Sequence, residues 1–174
     1  MRELPKKYNN FLLSQSFAKN FGLYGERVGC LTVGTSSTKE QEIVMSRIKQ
    51  LARPTYSNPP IHGARIVDTV LGDKALTDLW HKDLKVMSGR IIDMRKGLVD
   101  RLKGLGNQHD WSHITSQIGM FAYTGMTKEM VTKLREESHI YMTADARISI
   151  SGLNSGNLDY VAEQFHKVTK DGTF

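Results

Sequence analysis

At 174 residues, with 39% hydrophobic and 24% charged side chains, the chain is long enough to bury a core and has the balance of a folded soluble protein, which excludes a disordered tail. A net charge of +6 attracts anions, yet the lysines and arginines form no long run and no aromatic residues interleave with them, so nucleic acid is not an expected partner. No apolar stretch reaches the roughly 20 residues of a membrane helix, so no membrane partner is expected either.

In chain order, Phe11-Leu12-Leu13 predicts a short strand and Val28 to Val33 a second, more buried one. The second run contains Cys30, the single cysteine; it excludes an internal disulfide, fits a reducing compartment and reads as a buried structural thiol. The opening MRELPKKYNN lacks the apolar core of a secretory signal. Ser37 with Glu40 resembles a capping box, and Val44, Ile48 and Leu51 follow on one helical face. That helix is expected to stop before Pro54, and Pro59-Pro60 to hold an extended loop. Ile61 to Leu71 predicts a short helix closed by Gly72. Leu76, Trp80, Leu84, Met87, Ile91, Met94, Leu98 and Leu102 then make the stripe of one long helix ending at Gly104, with Ser88-Gly89 a candidate kink. Beyond it are expected a strand around Ile118 to Tyr123, a helix from Lys128 to Glu137, a strand pair of Ile140 to Met142 with Arg147 to Ser151, and a last helix carrying Leu158, Val161, Ala162, Phe165 and Val168. The order is α/β followed by a smaller α+β unit. The six histidines are scattered without ligand spacing, so no metal is expected.

The chemistry starts at Lys19, set among Ala18, Asn20, Phe21 and Gly22. Such neighbours imply partial burial, and a buried lysine readily becomes a nucleophile toward an aldehyde. Ser16 and Arg27 lie near it in sequence and offer a hydroxyl and a guanidinium to a phosphate.

Four segments in order, SQSFAKNFGLYGERVG, RPTYSNPPIHGARIV, DWSHITSQIGMFAYTG and HIYMTADARISISGL, resemble the aspartate aminotransferases of the class I pyridoxal-phosphate-dependent family. The likeness runs from about Phe11 to Lys170. It implies the end of a fold-type I large cofactor domain over residues 1–86 and the small domain over 87–174, with the family's upstream half missing and the chain alone expected to be inactive. It implies pyridoxal 5'-phosphate as cofactor, held by Lys19 as a Schiff base, with Lys19 also the catalytic base and Ser16, Arg27 and Ser57 on the phosphate. Arg147 would bind the substrate α-carboxylate and Phe121 would lie near the substrate. Arg53 would bind the side-chain carboxylate of aspartate or glutamate. Arg53 and Ser57 would reach the partner's site in a homodimer. The substrates implied are small dicarboxylic amino and keto acids, L-aspartate and 2-oxoglutarate giving oxaloacetate and L-glutamate, in the cytoplasm or mitochondria. Ala146 departs from the family, where glycine is common before this arginine. Two other readings stay open: a relative acting on aromatic amino acids, and a non-enzymatic truncated subunit that binds a full-length partner.

Overall fold

The computed structural model describes residues 3–170; Met1 and Arg2 of the opening segment lie outside the described residues. The chain divides into two compact units around Lys82 and Asp83.

In the first unit a short helix α1 (Leu4–Lys7) precedes strands β1 (Phe11–Ser16) and β2 (Gly29–Gly34). The strands pair antiparallel, from Phe11 opposite Gly34 to Ser16 opposite Gly29. Helix α2 (Thr38–Thr55) follows. Its start obeys the sequence signal: Ser37 Oγ accepts from the Glu40 N–H at 3.2 Å, and the Glu40 carboxylate accepts from the N–H and hydroxyl of Ser36 at 2.8 and 2.6 Å. Its end does not stop before Pro54. The proline falls inside the last turn, where its missing N–H forfeits one bond, and the N–H groups of Tyr56 and Ser57 both close on the Ala52 carbonyl. Helix α3 (His62–Gly72) comes next. It packs through Gly63, where a Cβ would lie 2.7 Å from the Glu26 side chain and 2.9 Å from that of Val28. Helix α4 (Lys74–Gly104) then runs unbroken past Ser88-Gly89. On its first turns Trp80 stacks on Phe21 with centroids 4.6 Å apart and donates to the Asn20 carbonyl at 2.8 Å.

Two expectations of burial fail in this unit. Strand β2 is mostly exposed, Cys30 included, because among the described residues its sheet has two strands and an apolar run is buried only where both faces are covered. Lys19 is exposed as well. Its aromatic neighbours Phe17 and Phe21 pack edge to face and Phe21 turns onto Trp80, which leaves the lysine projecting outward.

The second unit holds most of the core. Leu98, Val99 and Leu102 of α4 meet Val131 and Leu134 of α6 (Lys128–Ser138) and Leu158, Val161, Ala162 and Phe165 of α7 (Leu158–Thr169). The i, i+3, i+4 spacing of these residues puts one apolar stripe of each helix inward. Fully burying such a side chain contributes roughly 1.5–3 kcal/mol. A short helix α5 (Ser112–Ser116) and strand β3 (Phe121–Tyr123) lie between α4 and α6. Strand β4 (Arg147–Ser149) pairs antiparallel with β3, Phe121 opposite Ser149 and Tyr123 opposite Arg147, and leads into a 3-10 turn at Ile150–Gly152. The expected strand at Ile140 to Met142 does not form. His139 takes left-handed backbone to close α6, the Ile140 N–H returns to the Leu134 carbonyl, and a turn from Thr143 to Ala146 brings β4 to β3 instead. Ile140 and Met142 still pack against the core.

Candidate functional site

The residues singled out in the sequence fall into three clusters. The first lies where the hairpin opens. Ser16 ends β1, and its hydroxyl accepts from the Ala18 N–H at 3.1 Å, starting the turn that carries Lys19. The Gly22 N–H bonds the Lys19 carbonyl at 3.2 Å, and the Lys19 Nζ lies 4.8 Å from the Tyr24 ring centroid, a cation–π contact. Arg27 re-enters the hairpin with φ of 51° and donates from one amino group to the Tyr24 carbonyl at 3.1 Å. Ser16, Ala18, Arg27 and Gly29 line one open groove of about 310 Å³. Gly29 keeps its floor low: a Cβ there would lie 2.5 Å from the Gln15 carbonyl oxygen. A hydroxyl and a planar cation around a floor without a side chain suit a phosphate group.

The second cluster closes α2. Arg53 donates to Ser57 Oγ at 2.5 Å; both side chains are exposed, and Ser57 has φ of 61°. The third lies on the sheet of the second unit. Arg147 and Ser149 are exposed while Ile148 and Ile150 are buried, the alternation expected of the strand. The Arg147 guanidinium carbon sits 5.0 Å from the Phe121 ring centroid, so cross-strand pairing brings these two residues together.

Backbone strain singles out the same places. Four non-glycine residues among those described have φ in the left-handed region: Arg27, Ser57, His139 and Ala146. His139 caps a helix; the other three are two of these residues and the neighbour of Arg147. Such outliers concentrate where surrounding structure enforces a functional geometry.

Sequence reasoning missed Arg95 and Gln117. Arg95 is only 3% exposed, and its guanidinium donates to the carbonyls of Ile114, Gly119 and Phe121 at 2.7, 2.9 and 2.7 Å. Burial holds its pKa below the ordinary arginine value. The signal was present, since Arg95 falls four residues after Ile91 on the apolar stripe of α4, a place where a charge needs a reason.

Against known proteins, the family model described as aminotransferase class I and II matches residues 2–165. The chain belongs to that family. Among the relatives of this aminotransferase chain, the mitochondrial aspartate aminotransferase of Dictyostelium discoideum is 53% identical over 163 residues, covering 94% of this chain and 38% of the relative. A mitochondrial aspartate aminotransferase structure from Trypanosoma brucei superimposes with a TM-score of 0.93 at 51% identity, covering 97% of this chain and 44% of that one. An aromatic-amino-acid aminotransferase from Burkholderia pseudomallei, covalently bound to pyridoxal phosphate, matches with a TM-score of 0.90 at 46% identity, over 92% of this chain and 40% of that one. The fold is therefore a portion of the aminotransferase fold, and the chain spans about two fifths of the length of these relatives.

Proposed function

We propose that this chain is the carboxy-terminal portion of an aspartate aminotransferase, and that the whole protein exchanges an amino group between L-aspartate and 2-oxoglutarate with pyridoxal 5'-phosphate as cofactor. The observation that carries the reading is the hairpin groove, where Ser16 and a strained Arg27 converge over Gly29 beside the turn bearing Lys19. The cofactor, when bound, supplies an electron-withdrawing ring conjugated with the amine being transferred. Lys19 is the residue that would hold the cofactor at its aldehyde group, with loss of water, and its amine when free would take up the substrate Cα proton and return it. Ser16 Oγ and the free N–H groups of Arg27 hold the phosphate; Arg147 takes the substrate α-carboxylate as a fork, with Phe121 bordering the same surface. Arg53 takes the side-chain carboxylate and Ser57 the phosphate of the neighbouring subunit's site in a two-fold homodimer, a role that their exposure and mutual bond support. Residues 1–86 close the cofactor domain and 87–174 form the small domain. Relatives of both mitochondrial and cytoplasmic type leave both compartments open to this protein.

Borohydride reduction of the chain mixed with pyridoxal 5'-phosphate, followed by peptide mass spectrometry, tests the reading. A pyridoxyl group concentrated on Lys19, and lost from Arg27→Ala, is expected. Labelling spread evenly over exposed lysines would refute it. The likeness to an aromatic-amino-acid aminotransferase keeps a second reading alive. The weaker binding of aspartate but not phenylalanine by the Arg53→Ala dimer would favour the dicarboxylate reading; equal losses would favour the aromatic one.

A further inference from the structure

Strand β3 is three residues long, and among the described residues only one of its edges meets a strand. A pair of such short strands is marginal by itself. The other edge is completed by side chains. The Gln117 amide pairs with both main-chain groups of Tyr123, donating to its carbonyl at 2.9 Å and accepting from its N–H at 2.8 Å, as a neighbouring strand would. Arg95 donates to the carbonyl of Phe121 at 2.7 Å and, from the same nitrogen, to that of Gly119, whose φ is 94°. Its other amino group is anchored to the Ile114 carbonyl. Among the described residues no carboxylate pairs with Arg95, so a buried cation is maintained on carbonyl dipoles alone. That is a costly way to fill a core position, and lysine cannot copy its geometry, because the planar fork bonds Ile114 from one nitrogen and Gly119 and Phe121 from another, whereas an ammonium is a single point. What these contacts fix is the height of Phe121, against whose ring Arg147 rests.

We propose that Arg95 and Gln117 are positioning residues for the substrate-carboxylate surface, holding the free edge of β3 so that Phe121 sets the orientation of the Arg147 guanidinium. The proposal rests on the reading above that Arg147 takes a carboxylate. Nuclear magnetic resonance of the labelled full chain tests it through the Phe121 ring and Arg147 Nε–Hε signals, first without ligand and then in an aspartate titration. Arg95→Lys and Gln117→Ala are expected to displace both signals and to weaken aspartate at Arg147 by about tenfold and about threefold respectively. Val161→Ala, which loosens the core on α7, is the control for stability loss alone and is expected to leave both signals in place. Unchanged signals and affinity in Arg95→Lys, or equal displacement in Val161→Ala, would overturn the proposal. Should Arg95→Lys fail to fold, Gln117→Ala decides by the same criteria. Should aspartate leave the parent Arg147 signal untouched, the carboxylate reading falls, and the ligand-free signals still decide whether Arg95 sets the position of Phe121.

Discussion

Ala146 shows what a single dihedral angle asks of a sequence. Its φ of 64° places an L side chain in left-handed backbone, and it is buried at 1% exposure directly before Arg147. The conformation costs a non-glycine residue roughly 1–2 kcal/mol. Glycine removes that strain but adds about 0.5–1 kcal/mol of unfolded-chain entropy. Ala146→Gly is therefore expected to stabilise the chain by about 0.5 kcal/mol, read as a raised urea midpoint; a drop of similar size would mean that the methyl packs well enough to outweigh the strain. The same position explains why glycine suits the motif, a reason visible only once φ is known. Lys19 teaches the converse. Its small and aromatic neighbours imply partial burial, but Phe21 turns onto Trp80 rather than around the lysine, which stays exposed. Composition along the chain reports which residues seek burial, not which of their neighbours are carried in with them.

At the scale of the element, periodicity and capping were legible. The starts of α2 and α6 follow their cap residues, with the Thr127 hydroxyl accepting from Met130 N–H as Ser37 does from Glu40. Because α2 has no buried residue to hold it, its cap matters more than usual, and Ser37→Ala is expected to cost about 1 kcal/mol of helix stability. Amide exchange at Glu40 to Val44 measures it; unaltered exchange would assign the capping to Glu40 and Ser36 instead. Strand pairing was less legible. Ile140 to Met142 has a strand's composition, yet the partner of β4 is set by the turn at Thr143 to Ala146 and by the side-chain edge that Arg95 and Gln117 give β3. No local pattern encodes a partner 26 residues upstream. The loop before α5 carries a pH dependence. Burial first, then the charge of His113, holds the His109 pKa below its ordinary value of 6.5, with Asp110 opposing. The unfolded chain therefore binds the proton more readily, so this contribution is present above pH 6.5 and is lost as pH falls through the lower folded value. Asp110, its carboxyl held low by bonds from Ser112, acts in the same sense at more acid pH. Unfolding midpoints of the second unit should fall between about pH 7.5 and about pH 5.5, with a shallower slope in His109→Gln; an unchanged slope would place the titration elsewhere.

Across the whole molecule, apolar burial is divided unequally between the units. The contiguous core of Leu98, Leu102, Ile114, Leu134, Ile150 and Phe165 belongs entirely to the second unit. In the first, the buried hydrophobic residues described are Ala18 and Val67, while Leu12, Leu31, Ile43, Met45 and Leu51 are exposed. Family likeness covers both parts equally, so sequence resemblance says nothing about which part is held by its own core. Burial does, because local opening free energy follows the apolar contacts that opening must break. Protease at low concentration should cut the isolated chain first between Tyr56 and Ile61, where loop backbone joins two helices of the thinly packed unit, and leave a resistant product that retains the segment from Asp83 onward. Phe165→Ala, expected to cost about 3–5 kcal/mol, should make that product as labile as the rest while leaving the first cut unchanged. If the first cuts fell within α6 or α7 of the parent chain, stability would not follow buried apolar area here, and the second unit would need a covering surface as much as the first.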